Sequence, residues 1–111
     1  MAEIRCTPGQ EAPGRAVFSW SPVAAGDTCT VLELSGARQL AGSVQLAGSG
    51  GVLSLEVSND GVTFFSMKDM SGTAISATGA AFFEFTTSAR YIRPAPATGL
   101  TGGAVTLCLR G

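Results

Sequence analysis

Three cysteines, eight carboxylates and no histidine bound the chemistry that this sequence of 111 residues could perform. General acid and base work falls most often to histidine, whose charge changes near neutral pH. A zinc site of cysteine and histidine needs a paired spacing such as CxxC, and Cys6, Cys29 and Cys108 form no such pair. The carboxylates Glu3, Glu11, Asp27, Glu33, Glu56, Asp60, Asp69 and Glu84 show no catalytic spacing along the chain. Residues distant in sequence could still meet as a glycosidase-like pair. The cluster Gly48-Ser49-Gly50-Gly51 invites a phosphate-binding reading, but Val52 opens a strand rather than a helix, so a flexible connector is expected. No catalytic, cofactor-binding or metal-ligating residue is assigned, and the sequence reads as a non-enzyme without a cofactor.

The remaining cysteine chemistry is redox. Cys29 and Cys108 fall inside expected strands, where a reduced thiol acts as a small buried hydrophobe. A bridge between them stays open if their strands adjoin.

Stepping from these residues to the chain that must position them, 111 residues suit one domain with one core. Hydrophobic residues make up 45% of the sequence, so it folds; charged residues make up only 14%, so much of the surface must be Ser, Thr, Gly and Ala. Such a surface packs readily against another subunit. Net charge is −1 with the arginines dispersed, which gives no basic stripe for a phosphate backbone and argues against nucleic-acid binding. The start Met-Ala-Glu-Ile-Arg-Cys lacks a basic segment followed by an apolar run, and no stretch approaches the roughly 20 apolar residues of a membrane span. Synthesis in a cytoplasm without membrane insertion is the expectation.

Residues 1–14, with Pro8, Gly9, Pro13 and Gly14, show neither strand nor helix period and read as an extended N-terminal arm, either frayed or lying on a neighbouring subunit. Residues 15–111 read as an all-β domain, a single antiparallel β-sandwich or jelly roll of about eight strands. The expected strands are Arg15 to Trp20, Thr28 to Leu34, Gly42 to Ala47, Val52 to Ser58, Val62 to Lys68, Ala80 to Thr86, Ala89 to Pro94 and Ala104 to Leu109. Alternation is cleanest where Leu53, Leu55 and Val57 oppose Ser54, Glu56 and Ser58, and where Val105, Leu107 and Leu109 oppose Thr106, Cys108 and Arg110. Between two of these strands, Ser58-Asn59-Asp60-Gly61 predicts a three-residue hairpin closed by Gly61 in the left-handed region.

Two aromatic doublets interrupt the alternation. Phe83 and Phe85 should share the inner face and leave Phe82 outward beside Glu84, whereas a bulge after Gly61 would exchange Phe64 and Phe65. Either a loop covers the outward phenylalanine or another subunit does; Arg5, Phe65 and Phe82 are the candidate interface residues on the second reading. Trp20, before Ser21-Pro22, is either a core residue or a stacking platform for a sugar.

The segment Leu55 to Phe64, with its Ser-Asn-Asp-Gly turn and following aromatic, and the later strand Ala89-Arg90-Tyr91-Ile92-Arg93-Pro94 together resemble the discoidin-like, galactose-binding-like β-sandwich pattern over Val52 to Pro94. Asn59, Asp60, Gly61, Arg90 and Arg93 carry that resemblance and are assigned structural roles only. The chain is shorter than a full discoidin domain and lacks its terminal cysteine pair, so no sugar-binding residue is carried over. Short chains rich in Gly, Ala, Ser and Thr with both pieces are also similar to structural proteins of tailed bacteriophages. That resemblance implies a decoration or cement protein on the capsid surface of the virion, made in the host cytoplasm. Its partners would be the major capsid protein and copies of itself, as a homo-oligomer such as a trimer. The alternatives are a carbohydrate-binding module and a structural subunit of a tail, fibre or baseplate.

Overall fold

The structure is a computed structural model that describes residues 3–12, 15–34 and 40–110. Among these, twelve strands run as β1 (Glu3–Ile4), β2 (Thr7–Ala12), β3 (Arg15–Val23), β4 (Thr28–Cys29), β5 (Leu32–Glu33), β6 (Leu40–Ser49), β7 (Leu53–Ser58), β8 (Phe65–Ser66), β9 (Ser76–Ala77), β10 (Ala81–Thr87), β11 (Tyr91–Pro96) and β12 (Thr101–Arg110). The chain is all-β. A first antiparallel sheet has the order β10-β6-β12-β3-β2; a second has β5-β11-β7-β8, with β9 joining β8 along the same edge of β7.

Period-two alternation explains why the two sheets must face each other. On the first sheet Val44 and Leu46 of β6 and Val105, Leu107 and Leu109 of β12 point inward, joined by Trp20 and Phe85. Leu53 and Leu55 of β7 and Ile92 of β11 answer them from the second sheet, with Met67 and Ile75 filling the edge. Each such side chain contributes roughly 1.5 to 3 kcal/mol on leaving water. Trp20 is wholly buried, and its indole Nε1–H donates to the Thr30 carbonyl at 2.9 Å, which satisfies the ring's polar handle inside the core. The core reading of Trp20 holds, and the ring is withdrawn as a sugar platform.

At one end of the sandwich the links between strands pack against one another. The β6–β7 link and the β11–β12 link meet backbone to backbone: a methyl on Gly50 would lie 2.5 Å from the Gly99 carbonyl oxygen, and one on Gly99 would lie 2.6 Å from that of Gly50. Both glycines have positive φ. Leu100 is buried beneath them, and its carbonyl accepts the Ala25 amide of the β3–β4 link at 2.9 Å. The Gly48 to Gly51 segment is therefore a close-packed seam, and not the flexible connector its composition suggests.

Several elements differ from the sequence expectation, each for an identifiable reason. Thr28 to Leu34 divides into β4 and β5 because the chain changes partner within it: β4 pairs with β1, the Thr30 amide donates to the Ile4 carbonyl at 2.8 Å, and β5 pairs with β11. The first three residues of Val62 to Lys68 leave the ladder, since the Asp60 carboxylate takes the amides of Val62 and Thr63; β8 starts only at Phe65, and beyond it Met67 bonds to Leu55 and Ile75 and Lys68 bridges to Ala74. The connection from β7 to β8 thus spans Asn59 to Phe64 and is longer than a three-residue hairpin. Within the expected arm, β2 lies on β3 of its own domain as the outermost strand, where Pro8 is tolerated beside an irregular register; residues 1–2 and 13–14 lie outside the described residues.

Cys29 is buried as expected, but Cys108 is only half-buried, on the outer face opposite Leu107 and Leu109. Their strands are not neighbours in either sheet, and all three thiols are free.

If the glycine seam is a packing constraint, Gly99→Ala should lower stability by about 1–3 kcal/mol. Gly79→Ala, where a methyl meets nothing within 4 Å, should stay within about 0.5 kcal/mol of the wild type. Thermal unfolding of the two variants side by side checks the pair.

Candidate interaction surfaces

The turn after β7 is built by side chains that replace a missing ladder. Ser58 is buried, and its Oγ accepts the amides of Asp60 at 3.2 Å and Gly61 at 2.9 Å while its hydroxyl donates to Asp60 Oδ1 at 2.9 Å. Asp60 Oδ1 in turn accepts the amides of Val62 at 2.8 Å and Thr63 at 2.9 Å. Gly61 has φ of 77°, and a methyl there would press on the Tyr91 ring at 3.3 Å. Asp60 and Gly61 are thus fixed within the turn, while Asn59 is exposed.

This loop and the strand after it each expose an apolar side chain. Val62 is 83% exposed and Phe65 is 65% exposed, with Asn59, Asp60, Thr63 and Ala89 around a shallow depression beside the ring. Phe65 lies on the same side of its strand as the buried Met67 yet projects past the rim of the core, at the end opposite the glycine seam. Phe64 points to the outer face, where the Arg93 guanidinium stacks 3.7 Å from its ring centre. The expected division into one inward and one outward ring is inverted in effect: the outer ring is covered and the inner one is bare.

Arg93 also donates through Nε to Glu56 Oε1 at 3.0 Å, and Arg90 through Nη2 to Glu33 Oε2 at 3.3 Å. The first pair is partly shielded; the second is exposed and screened, worth at most about 1 kcal/mol. Arg93 and Glu56 face each other across β11 and β7, and Arg90 lies just before β11, whose neighbour β5 carries Glu33.

On the first sheet, Phe83 packs against the core and Phe85 is buried within it, whereas Phe82 is 59% exposed beside Glu84. Arg5 is exposed and makes a loose ion pair with Glu3 at 3.7 Å. Arg5 lies in the link between β1 and β2, Phe65 opens β8 of the second sheet and Phe82 lies on β10 of the first. Sequence reasoning missed Val62 and Met70, both strongly exposed. Each follows or precedes turn residues (Gly61; Ser71-Gly72), a position that removes a side chain from the strand alternation on which inward placement depends.

A polar depression between Asp27 and Arg93, with Glu56 and Cys29 on its wall, completes the described surface features. Burial pushes the Cys29 thiol up to about 11, with the Asp27 charge adding and Arg93 opposing. Cys6 is likewise raised by burial. Among the described residues, no group of three or more His, Cys, Asp or Glu side chains could hold a metal ion, and no helix is long and apolar enough to cross a membrane.

No known protein family and no curated protein matches the chain. Among solved structures, a Bacillus endospore appendage, one of a family described as disulfide-linked pili, aligns with 96% of this chain and 88% of its own at 18% identity and a TM-score of 0.44.

Two titrations follow from the geometry. The Asp60 carboxyl is held below its ordinary 3.8 by the Thr63 and Val62 amides and the Ser58 hydroxyl. A lowered folded-state pKa gives stability that is present above the ordinary value and lost as pH falls through the folded one. Asp60→Asn should accordingly flatten the acid limb of the stability curve, read by denaturant unfolding at about pH 7 and about pH 3. Cys29, as a buried thiol with a raised pKa, should resist iodoacetamide in the native protein and react on unfolding, which peptide mass mapping can follow.

Proposed function

We propose that this chain is a virion structural protein of a tailed bacteriophage, a decoration or cement protein that sits on the outside of the head and bridges major capsid subunits. The observation that carries the reading is the exposure of two apolar side chains, Val62 on a loop whose backbone amides are already tied to Ser58 and Asp60, and Phe65 at the start of the strand that follows it. An exposed phenylalanine forgoes roughly 1.5 to 3 kcal/mol of burial until a partner covers it. Because the loop is already ordered, covering it incurs little further entropy loss, which suits an anchor inserted in a pocket. A contact of standard size, on the order of 1,600 Å² in total, would then hold shell subunits together against internal pressure. The phage-like resemblance of the Ser-Asn-Asp-Gly turn and the Ala-Arg-Tyr-Ile-Arg-Pro strand agrees with this, as does the low charge of the surface.

A second reading rests on the same depression. Phe65 with Asn59, Asp60 and Thr63 around it combines a bare ring with hydrogen-bonding groups, the combination a sugar ring stacks on, and would suit a module on a tail or fibre.

Particles stripped of this protein should release their DNA at a temperature several degrees lower than coated ones, and adding back the wild type should restore the difference. The variant carrying Val62→Ser and Phe65→Ser should fail to restore it while remaining folded. Equal stability of stripped and coated particles would remove the cement reading. Phe65-dependent signals on a glycan array, with no occupancy of heads, would favour the second.

A further inference from the structure

The outer face of the first sheet is unusual for a surface exposed to water. Neighbouring strands present Ser43, Gln45 and Ala47 from β6 and Ala104, Thr106 and Cys108 from β12; Gln45 and Thr106 stand in register with Phe82 of β10, and Ser43 and Cys108 with Glu84. Glu84 is the one charge among the described outward side chains of these three strands. Interface centres are poor in charge and rich in aromatic residues and methionine, and Met70, 72% exposed, stands at the border of this face next to Glu84.

Knob and hollow lie side by side here. Phe82 projects from β10, and next to it a depression of about 530 Å³ is floored by Ala47, Ala81, Ala104 and Thr106. We infer that this face is where a second copy of the chain packs, across a two-fold axis that sets each Phe82 into the hollow of the other. Only an isologous contact uses both halves of such a surface at once.

The area is sufficient. Four strands, β10, β6, β12 and β3, with β6 and β12 ten residues long, give a footprint of about 600 Å² at ordinary strand spacing and rise. That matches the roughly 600 to 800 Å² per partner of a specific dimer. Pairing through the β10 edge instead is obstructed, since the Met70 amide already donates to the Glu84 carbonyl at 3.2 Å in the middle of that edge. An antiparallel two-fold pairing centred there would also oppose Glu84 to its own copy. Self-association through this face goes beyond the shell-binding role of Val62 and Phe65 and does not depend on it.

Sedimentation equilibrium of the full chain across the micromolar range tests the inference. The wild type should be a dimer, and Phe82→Glu and Ala104→Lys should each weaken it at least tenfold with unchanged circular dichroism and melting temperature. Phe65→Ser should leave the dimer intact. Alkylation of Cys108, on the covered face, should be faster in Phe82→Glu than in the wild type. A monomeric wild type, an oligomer indifferent to both substitutions, or a trimer dissolved by them overturns the two-fold pairing. A wild-type monomer that still coats particles would overturn the pairing and leave the cement reading standing; a dimer that ignores particles would do the reverse.

Discussion

The structure depends on the fact that each sheet is apolar on one side only, so that neither can persist without the other. Val44, Leu46, Val105 and Leu107 have neighbours on their own sheet, Trp20 and Phe83 among them, but no cover from within it, and Leu53, Leu55 and Ile92 are in the same position opposite. Stacking the two removes both rows from water at once. Everything else in the molecule follows from how the chain gets from one layer to the other, and at one end those passages lie so close that only glycine fits between them.

The two outer faces solve the remaining problem differently. On the second sheet, Arg93 and Glu56 lie across the strands, and Arg93 also shelters Phe64, so long charged side chains cover apolar surface with their own stems. The first sheet has no such cover. Among its described outward residues Gln45 and Glu84 are exposed, and the one large ring, Phe82, stands uncovered. A domain whose opposite sides differ this much in charge has two kinds of surface to offer, one wet and one able to become dry.

Sequence alone gave access to those parts of the fold in which side-chain type and strand period agree. In β12 Val105, Leu107 and Leu109 are both the inward and the buried set, and so are Leu53 and Leu55 in β7, where Val57 is half-buried and Ser58 is drawn in by its turn; in β10 the pairing of Phe83 with Phe85 separates them from Phe82. Legibility failed where a backbone group answers to something other than the neighbouring strand. Asp60 takes amides that a continuous strand would have given to the ladder, and Thr30 serves the β1 backbone and the Trp20 indole at once, which splits one apolar run in two. The strand at Thr7 to Ala12 contains proline and glycine and has no alternation to read; it exists because the edge of β3 is open to it. Of the candidate surface, the turn residues and Phe82 could be read from their neighbours, but the exposure of Phe65 could not, because its side of the strand is the inner one and only the position of the core's rim leaves it bare.

Trp20 is the only tryptophan in the chain, and it sits at zero exposure in the middle of the core with its indole nitrogen bonded to a backbone carbonyl. Its fluorescence emission therefore reports whether the two layers remain stacked. Its strand, β3, is separated by β12 and β6 from β10, which carries Phe82, so that emission follows the separation of the layers and not events at Phe82.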